Sequence, residues 1–192
     1  MTAISIFGLG YVGSVSVACF ADYGHQVIGV DVNATKVAMI NKGQSPIIEE
    51  GLAELLHKGV TGGRIQATTE AKSAVADSEI SLICVGTPSN PNGSLNLQYI
   101  RRVCADIGKA LACKDDYHVV VVRSTTLPGT TEDVVIPALE AASGKTCGRD
   151  FGVCFNPEFL REGTSIKDFY APPFTVIGGD TERAIEVVKQ LY

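Results

Sequence analysis

The sequence predicts an α/β domain, a doubly wound and mainly parallel sheet with helices on both faces. Three observations carry this. Short Val- and Ile-rich runs alternate with helix-length segments almost from end to end. Most of those runs are apolar at consecutive positions, as strands covered on both faces must be. The chain has 192 residues, 45% of them apolar and 19% charged, enough to bury one core and too apolar for disorder.

The elements follow in order. A strand at residues 3–7 hands over at Gly8 to a helix at 11–23, and a second strand at 27–30 is followed by a helix at 34–41. Next come a helix at 51–57, a weaker strand at 64–67 and a helix at 70–76. Strands at 80–85 and 119–122 flank a helix at 97–111. A helix at 130–142, strands at 152–155 and 175–177, and a helix at 181–191 complete the pattern. Asn33, Asn96 and Asp180 stand just ahead of three of these helices, where a side-chain oxygen can accept from the open N–H groups of a first turn. The Gly/Pro-rich pieces read as loops, so one domain is expected.

Composition narrows the function. The net charge of −5 argues against a nucleic-acid partner or an anionic membrane surface, and no apolar run approaches the roughly 20 residues of a bilayer span. The N-terminus reads as a strand rather than a signal peptide. The six cysteines include no Cys-x-x-Cys pair, which fits buried thiols in a cytoplasmic protein better than a metal or disulfide framework. No metal is expected. The last residues place Ile185, Val188 and Leu191 on one helical stripe with no Gly or Pro stop, so the chain reads either as a natural end or as part of a longer protein.

The first strand runs straight into Gly8-Leu9-Gly10-Tyr11-Val12-Gly13 and then a helix. That is the context a dinucleotide-binding fingerprint requires: Gly8 for the turn, Gly10 for close approach of a pyrophosphate, Gly13 for helix-on-strand packing. A Gly-rich turn without a ligand is the bland alternative. Against it stands Asp31, 18 residues beyond Gly13 at the end of the second strand, where a carboxylate accepts from ribose hydroxyls. The fold expected is therefore Rossmann-type, with a dinucleotide as cofactor. Beside Asp31 a 2′-phosphate would meet a repulsion of roughly 3 kcal/mol at about 5 Å, which favours NAD over NADP. Lys36 stands near enough in sequence to offset part of this, or is simply solvated.

Thr87 and Thr125 follow the carboxyl ends of two strands, where open α/β sheets bind ligands, although Ser and Thr are also ordinary turn residues there. After residues 152–155 comes Asn-Pro-Glu-Phe-Leu-Arg-Glu-Gly. If Pro157 opens a helical turn, Glu158 and Glu162 lie at i and i+4 on one face, a spacing suited to acid/base or substrate-positioning work. The same face could instead be solvated and neutralised by Arg161 and Lys167.

Together these residues resemble the first domain of the nucleotide-sugar 6-dehydrogenases. Six blocks stand in that family's order: residues 8–13, 29–36, 45–52, 85–88, 123–130 and 156–163. Residues 90–97, 166–168 and 172–178 look most like the branch acting on GDP-mannose, with the UDP-glucose branch as runner-up. Glu50 departs from the pattern, since the family often has Pro there.

The resemblance implies a domain spanning residues 1–192 that binds NAD, in an enzyme oxidising a sugar C6 alcohol to a carboxylate with two NAD⁺ through thiol-bound intermediates. It implies that Gly8, Gly10, Tyr11, Val12 and Gly13 hold the cofactor and that Asp31 and Lys36 flank its adenosine ribose. It places Thr87 and Thr125 at the nicotinamide end, Thr125 also holding a proton-relay water. Glu158 and Glu162 fall on the substrate side, with Glu162 contacting the nucleotide sugar and assisting thioester hydrolysis. The family's Gly-Gly-Ser-Cys block, its central dimerising helix and its C-terminal substrate domain have no counterpart here. The resemblance therefore also implies a truncated chain, inactive by itself, from a homo-oligomeric enzyme. A stand-alone NAD-binding module and a β-hydroxyacid dehydrogenase are the rival readings.

Overall fold

A computed structural model describes residues 1–192. Seven strands form one sheet in the order β3-β2-β1-β4-β5-β6-β7, parallel throughout except for the last pair. The strands are β1 (Ala3–Phe7), β2 (Gln26–Val30), β3 (Ile65–Thr68), β4 (Ile80–Ile83), β5 (His118–Val122), β6 (Phe151–Phe155) and β7 (Gly178–Gly179). The helices are α1 (Tyr11–Asp22), α2 (Ala34–Asn41), α3 (Leu52–Thr61), α4 (Ala71–Ala76), α5 (Gln98–Leu111), α6 (Ile136–Ser143), α7 (Ser165–Tyr170) and α8 (Glu182–Lys189). The order reverses between β1 and β4, and at such a switch point the crevice above the carboxyl ends of the strands lies open.

Alternate side chains of the buried strands feed two cores, one on each face. Ile4, Ile6, Val119 and Val121 pack with α1, α3 and α8 residues such as Val17, Leu56 and Val188. Phe7, Val120 and Val122 pack with Ile100 and Cys104 of α5 and Leu139 of α6. β1, β4 and β5 are almost wholly buried, which is why their sequences lack polar alternation. One polar thread crosses this interior: Ser5 Oγ lies 2.7 Å from Ser81 Oγ, which lies 2.8 Å from His118 Nε2. At the β3 edge the Asn41 side chain donates to the Ala67 carbonyl (2.9 Å) and accepts from the Ala67 N–H (2.7 Å).

Several expected boundaries shift. β4 ends at Ile83, α3 runs on to Thr61, and the helix expected at 130–142 opens with a π-helical turn at Thr131–Val135 before α6 begins. The Val-Ile run at 175–177 is not strand; pairing falls on Gly178 and Gly179. A Cβ at Gly179 would sit 2.9 Å from Cys154 Sγ, so the approach to β6 needs a residue without a side chain. α7 was not expected from the pattern. Asn33 caps α2 through Thr35 and Lys36 N–H, and Asn96 serves Gln98 N–H one place ahead of the α5 cap. Asp180 does not cap α8. Thr181 does, and Asp180 accepts from Val153 N–H instead.

Candidate functional site at the switch point

The fingerprint glycines answer to different demands. Gly8 has φ +99°, and a Cβ there would lie 2.9 Å from the Cys84 carbonyl oxygen. A Cβ on Gly13 would fall 1.7 Å from the carbonyl oxygen of Gly8. Both are therefore required by the protein's own packing. Gly10 is unlike them: a Cβ there meets no atom within 4 Å. The backbone is bare at Gly10 toward open space, above the N-terminus of α1, which no side chain caps. Unpaired N–H groups and the positive end of the helix dipole face that space, a setting that suits a pyrophosphate.

Asp31, at the end of β2, is built into this turn. Its Oδ2 accepts from Leu9 N–H at 2.7 Å, its Oδ1 accepts from Asn33 N–H at 2.8 Å, and Lys36 Nζ lies 3.9 Å away. Each oxygen keeps a lone pair for a further donor. Beside it a cavity of about 140 Å³ is walled by Phe7, Val30, Val85 and Arg102. An apolar slot next to a fixed carboxylate fits a heteroaromatic base joined to a ribose. The residues present thus fit a dinucleotide.

The ends of β4 and β5 are joined by side chains. Thr87 Oγ1 donates to the Thr125 carbonyl at 2.7 Å, and Ser124 Oγ donates to the Val85 carbonyl at 2.6 Å. Thr87 and Thr125 are thereby brought together, with Thr125 exposed.

Beyond β6 the expectation of a helical turn fails. Residues 156–161 are irregular, a turn follows at 162–164 with Gly163 at φ +87°, and helix begins only at Ser165. The half-buried Glu158 bends back to accept from Leu160 N–H at 2.6 Å, so Glu158 and exposed Glu162 share no helical face. Arg161 does not neutralise them, because it pairs with Asp168 at 2.7 Å. What fixes the segment instead is Asn156, buried at 1% exposure. Its Oδ1 accepts from Arg123 Nη1 and from the Tyr192 hydroxyl, both at 2.7 Å, and its Nδ2 donates to the Val176 carbonyl. Arg123 itself is buried, near the rings of Phe20 and Phe169.

Three residues at this site enter the sequence reading only as members of its blocks: Arg123, Asn156 and Glu49. Nothing local marks Arg123 as buried. Glu49 accepts the hydroxyl proton of Tyr11. The Tyr11 hydroxyl is thereby tied to the loop ahead of α3, while Val12 packs against the core that includes α1.

With this geometry in place, comparison with known proteins is decisive. Residues 2–192 match the UDP-glucose/GDP-mannose dehydrogenase family, NAD binding domain. The chain belongs to that family. Its NAD-binding domain has the doubly wound sheet and fingerprint expected of it. GDP-mannose 6-dehydrogenase of Pseudomonas aeruginosa is 56% identical over 98% of the chain, and UDP-glucose 6-dehydrogenase of Haloferax volcanii is 43% identical over 98%. The crystal structure of a ternary complex of the Pseudomonas aeruginosa GDP-mannose dehydrogenase superposes with a TM-score of 0.98, at 55% identity and covering 99% of this chain and 44% of that one. The chain spans 43% and 44% of the lengths of those two curated relatives. No helix is long and apolar enough to cross a membrane.

Proposed function

We propose that these residues are the cofactor half of an NAD-dependent nucleotide-sugar 6-dehydrogenase that converts GDP-mannose to GDP-mannuronate. The observation that carries the reading is Gly10, a glycine that the protein's own packing does not require, set at an uncapped helix end beside Asp31. The higher identity to the GDP-mannose enzyme than to the UDP-glucose enzyme supports the choice of sugar nucleotide.

In this reading the backbone at Gly8, Gly10 and Gly13, with Tyr11 and Val12, receives the pyrophosphate, and Asp31 with Lys36 holds the adenosine ribose. When bound, NAD supplies the hydride acceptor. Thr87 and Thr125 line the nicotinamide end, and Thr125 orients a water that takes the C6 hydroxyl proton, without which hydride cannot leave. Glu158 and Glu162 face the sugar nucleotide, Glu162 contacting it and assisting hydrolysis of the thiol-bound intermediate. The nucleophilic thiol lies outside these residues: none of the six cysteines stands in a Gly-Gly-Ser-Cys block, and exposed Cys113 lies in the turn between α5 and β5, away from the carboxyl ends of the strands. Burial pushes Cys19, Cys84, Cys104 and Cys154 up to about 12, and burial together with Asp180 does the same for Cys147, so all five stay protonated and unreactive. We place the working enzyme in the cytoplasm as a homo-oligomer, with its dimerising helix and substrate domain in further sequence.

Titration of the 192-residue chain with NAD and NADP tests the cofactor half of the proposal, and NAD should bind more tightly. Turnover of the longer protein with GDP-mannose and UDP-glucose tests the rest. Preference for UDP-glucose would overturn the substrate, and completion of the oxidation by the 192 residues alone would overturn the division of labour.

A further inference from the structure

Glu49 lies on the loop between α2 and α3. Its carboxylate accepts from three donors. Oε2 accepts from the Tyr11 hydroxyl and from Gly163 N–H (2.8 Å), and Oε1 accepts from Ser165 N–H (2.8 Å). Gly163 N–H also reaches the Tyr11 hydroxyl at 3.1 Å. Burial raises the carboxyl pKa, but the bonds from Tyr11, Gly163 and Ser165 outweigh it and leave it below its usual range. Burial and the Glu49 bond both raise Tyr11, so the proton stays on the phenol. One ionised side chain therefore joins the first residue of α1 to the turn that carries Glu162.

We propose that Glu49 is a positioning residue for the reaction. It fastens the substrate-side turn at 162–164 to the helix whose N-terminus receives the cofactor, and so fixes the separation between the two halves of the site. This rests on the reading above that residues 156–163 face the substrate. The fastening is more than packing. Charge-assisted bonds from three donors on two remote segments converge on one group, and a neutral or truncated side chain cannot accept all three.

Hydrogen exchange on the 192-residue chain tests the fastening directly, with Glu49→Ala, Glu49→Gln and Tyr11→Phe compared with wild type. Exchange at the Gly163 and Ser165 amides should rise about tenfold or more in Glu49→Ala and less in Glu49→Gln, with strand amides of β4 and β5 unchanged. In the longer enzyme the same alanine variant should lower kcat about tenfold while the KM for NAD stays within about threefold, and Glu49→Gln should recover part of the loss. Unchanged exchange at Gly163, a uniform rise across the core strands, or an effect confined to KM would each overturn the proposal. Failure of the wild-type chain to bind NAD would count against the functional reading and leave the exchange result standing.

Discussion

Replacing Gly10 by Ala should separate folding from cofactor binding. Gly10 has φ −79° and ψ −157°, which alanine adopts without strain, and the added Cβ meets no protein atom within 4 Å. Stiffening the unfolded chain stabilises by about 0.4–1 kcal/mol, while alanine is worse than glycine ahead of a helix by a similar amount. The net change should stay within about 0.5 kcal/mol, a Tm shift of no more than about 2 °C for a chain this size. A pyrophosphate pushed off the backbone loses hydrogen bonds to a charged group, about 1.5–3 kcal/mol or roughly 10- to 150-fold in Kd. Gly13→Ala is the contrast: its Cβ would lie 1.7 Å from the Gly8 oxygen, where ordinary contact begins at 3.4 Å, so α1 must back away and the fold itself should weaken. Thermal melts paired with calorimetric NAD titrations measure both quantities. A Gly10→Ala variant that binds NAD as wild type does, or that melts many degrees lower, would refute the assignment of Gly10 to the cofactor.

Three further outcomes are expected. Asp31→Ala should weaken NAD binding by about 1–3 kcal/mol and narrow the gap between NAD and NADP in parallel titrations, since it removes both the ribose acceptor and the charge opposing a 2′-phosphate; equal affinities before and after would remove Asp31 from the site. Gly108→Ala should destabilise by about 1–3 kcal/mol in urea melts although alanine is the better helix former, because its Cβ would lie 2.6 Å from the Ala142 Cβ and 3.0 Å from the Leu139 carbonyl where α5 packs on α6; a more stable variant would mean the helices separate freely. Burial, aided by the Lys114 charge, lowers His118 to about 3, so the unfolded chain takes up a proton that the folded chain refuses as pH falls below about 6.5. Stability should therefore drop between about pH 6.5 and 3, with a slope approaching about 1.4 kcal/mol per unit, and less steeply in His118→Gln. Parallel curves for the two proteins would show that His118 does not contribute.

What the sequence revealed and what it hid divide along the range of the forces involved. β1, the fingerprint and Asp31 were legible because a strand, a turn and a helix follow one another within 31 residues and each obeys a local rule. Spacing alone leaves Lys36 either beside Asp31 or solvated, and the structure sets its Nζ 3.9 Å from the Asp31 carboxylate. The helical turn that Pro157 could open does not form, because the shape of 156–163 is set from afar, by Arg123 and Tyr192 on Asn156 and by Glu49 on Gly163. α7 was missed for the same reason. Its six residues show no period of their own and are held by the Arg161–Asp168 pair and by Phe169 against Phe20. The β-branched run at 175–177 draws the expected last strand three residues early, since propensity cannot register that at 179 a Cβ would crowd Ile185 and Cys154.

Both rims of the sheet offer a newcomer little to pair with. At one rim the Asn41 amide occupies the N–H and C=O of Ala67 that a visiting strand would need. At the other, two glycines running antiparallel end the ladder after two residue pairs. A parallel sheet of this width is slow to assemble and risks polymerising through its flanks, and Asn41→Ala, by baring one flank, should make the protein more prone to aggregate during refolding without touching the site.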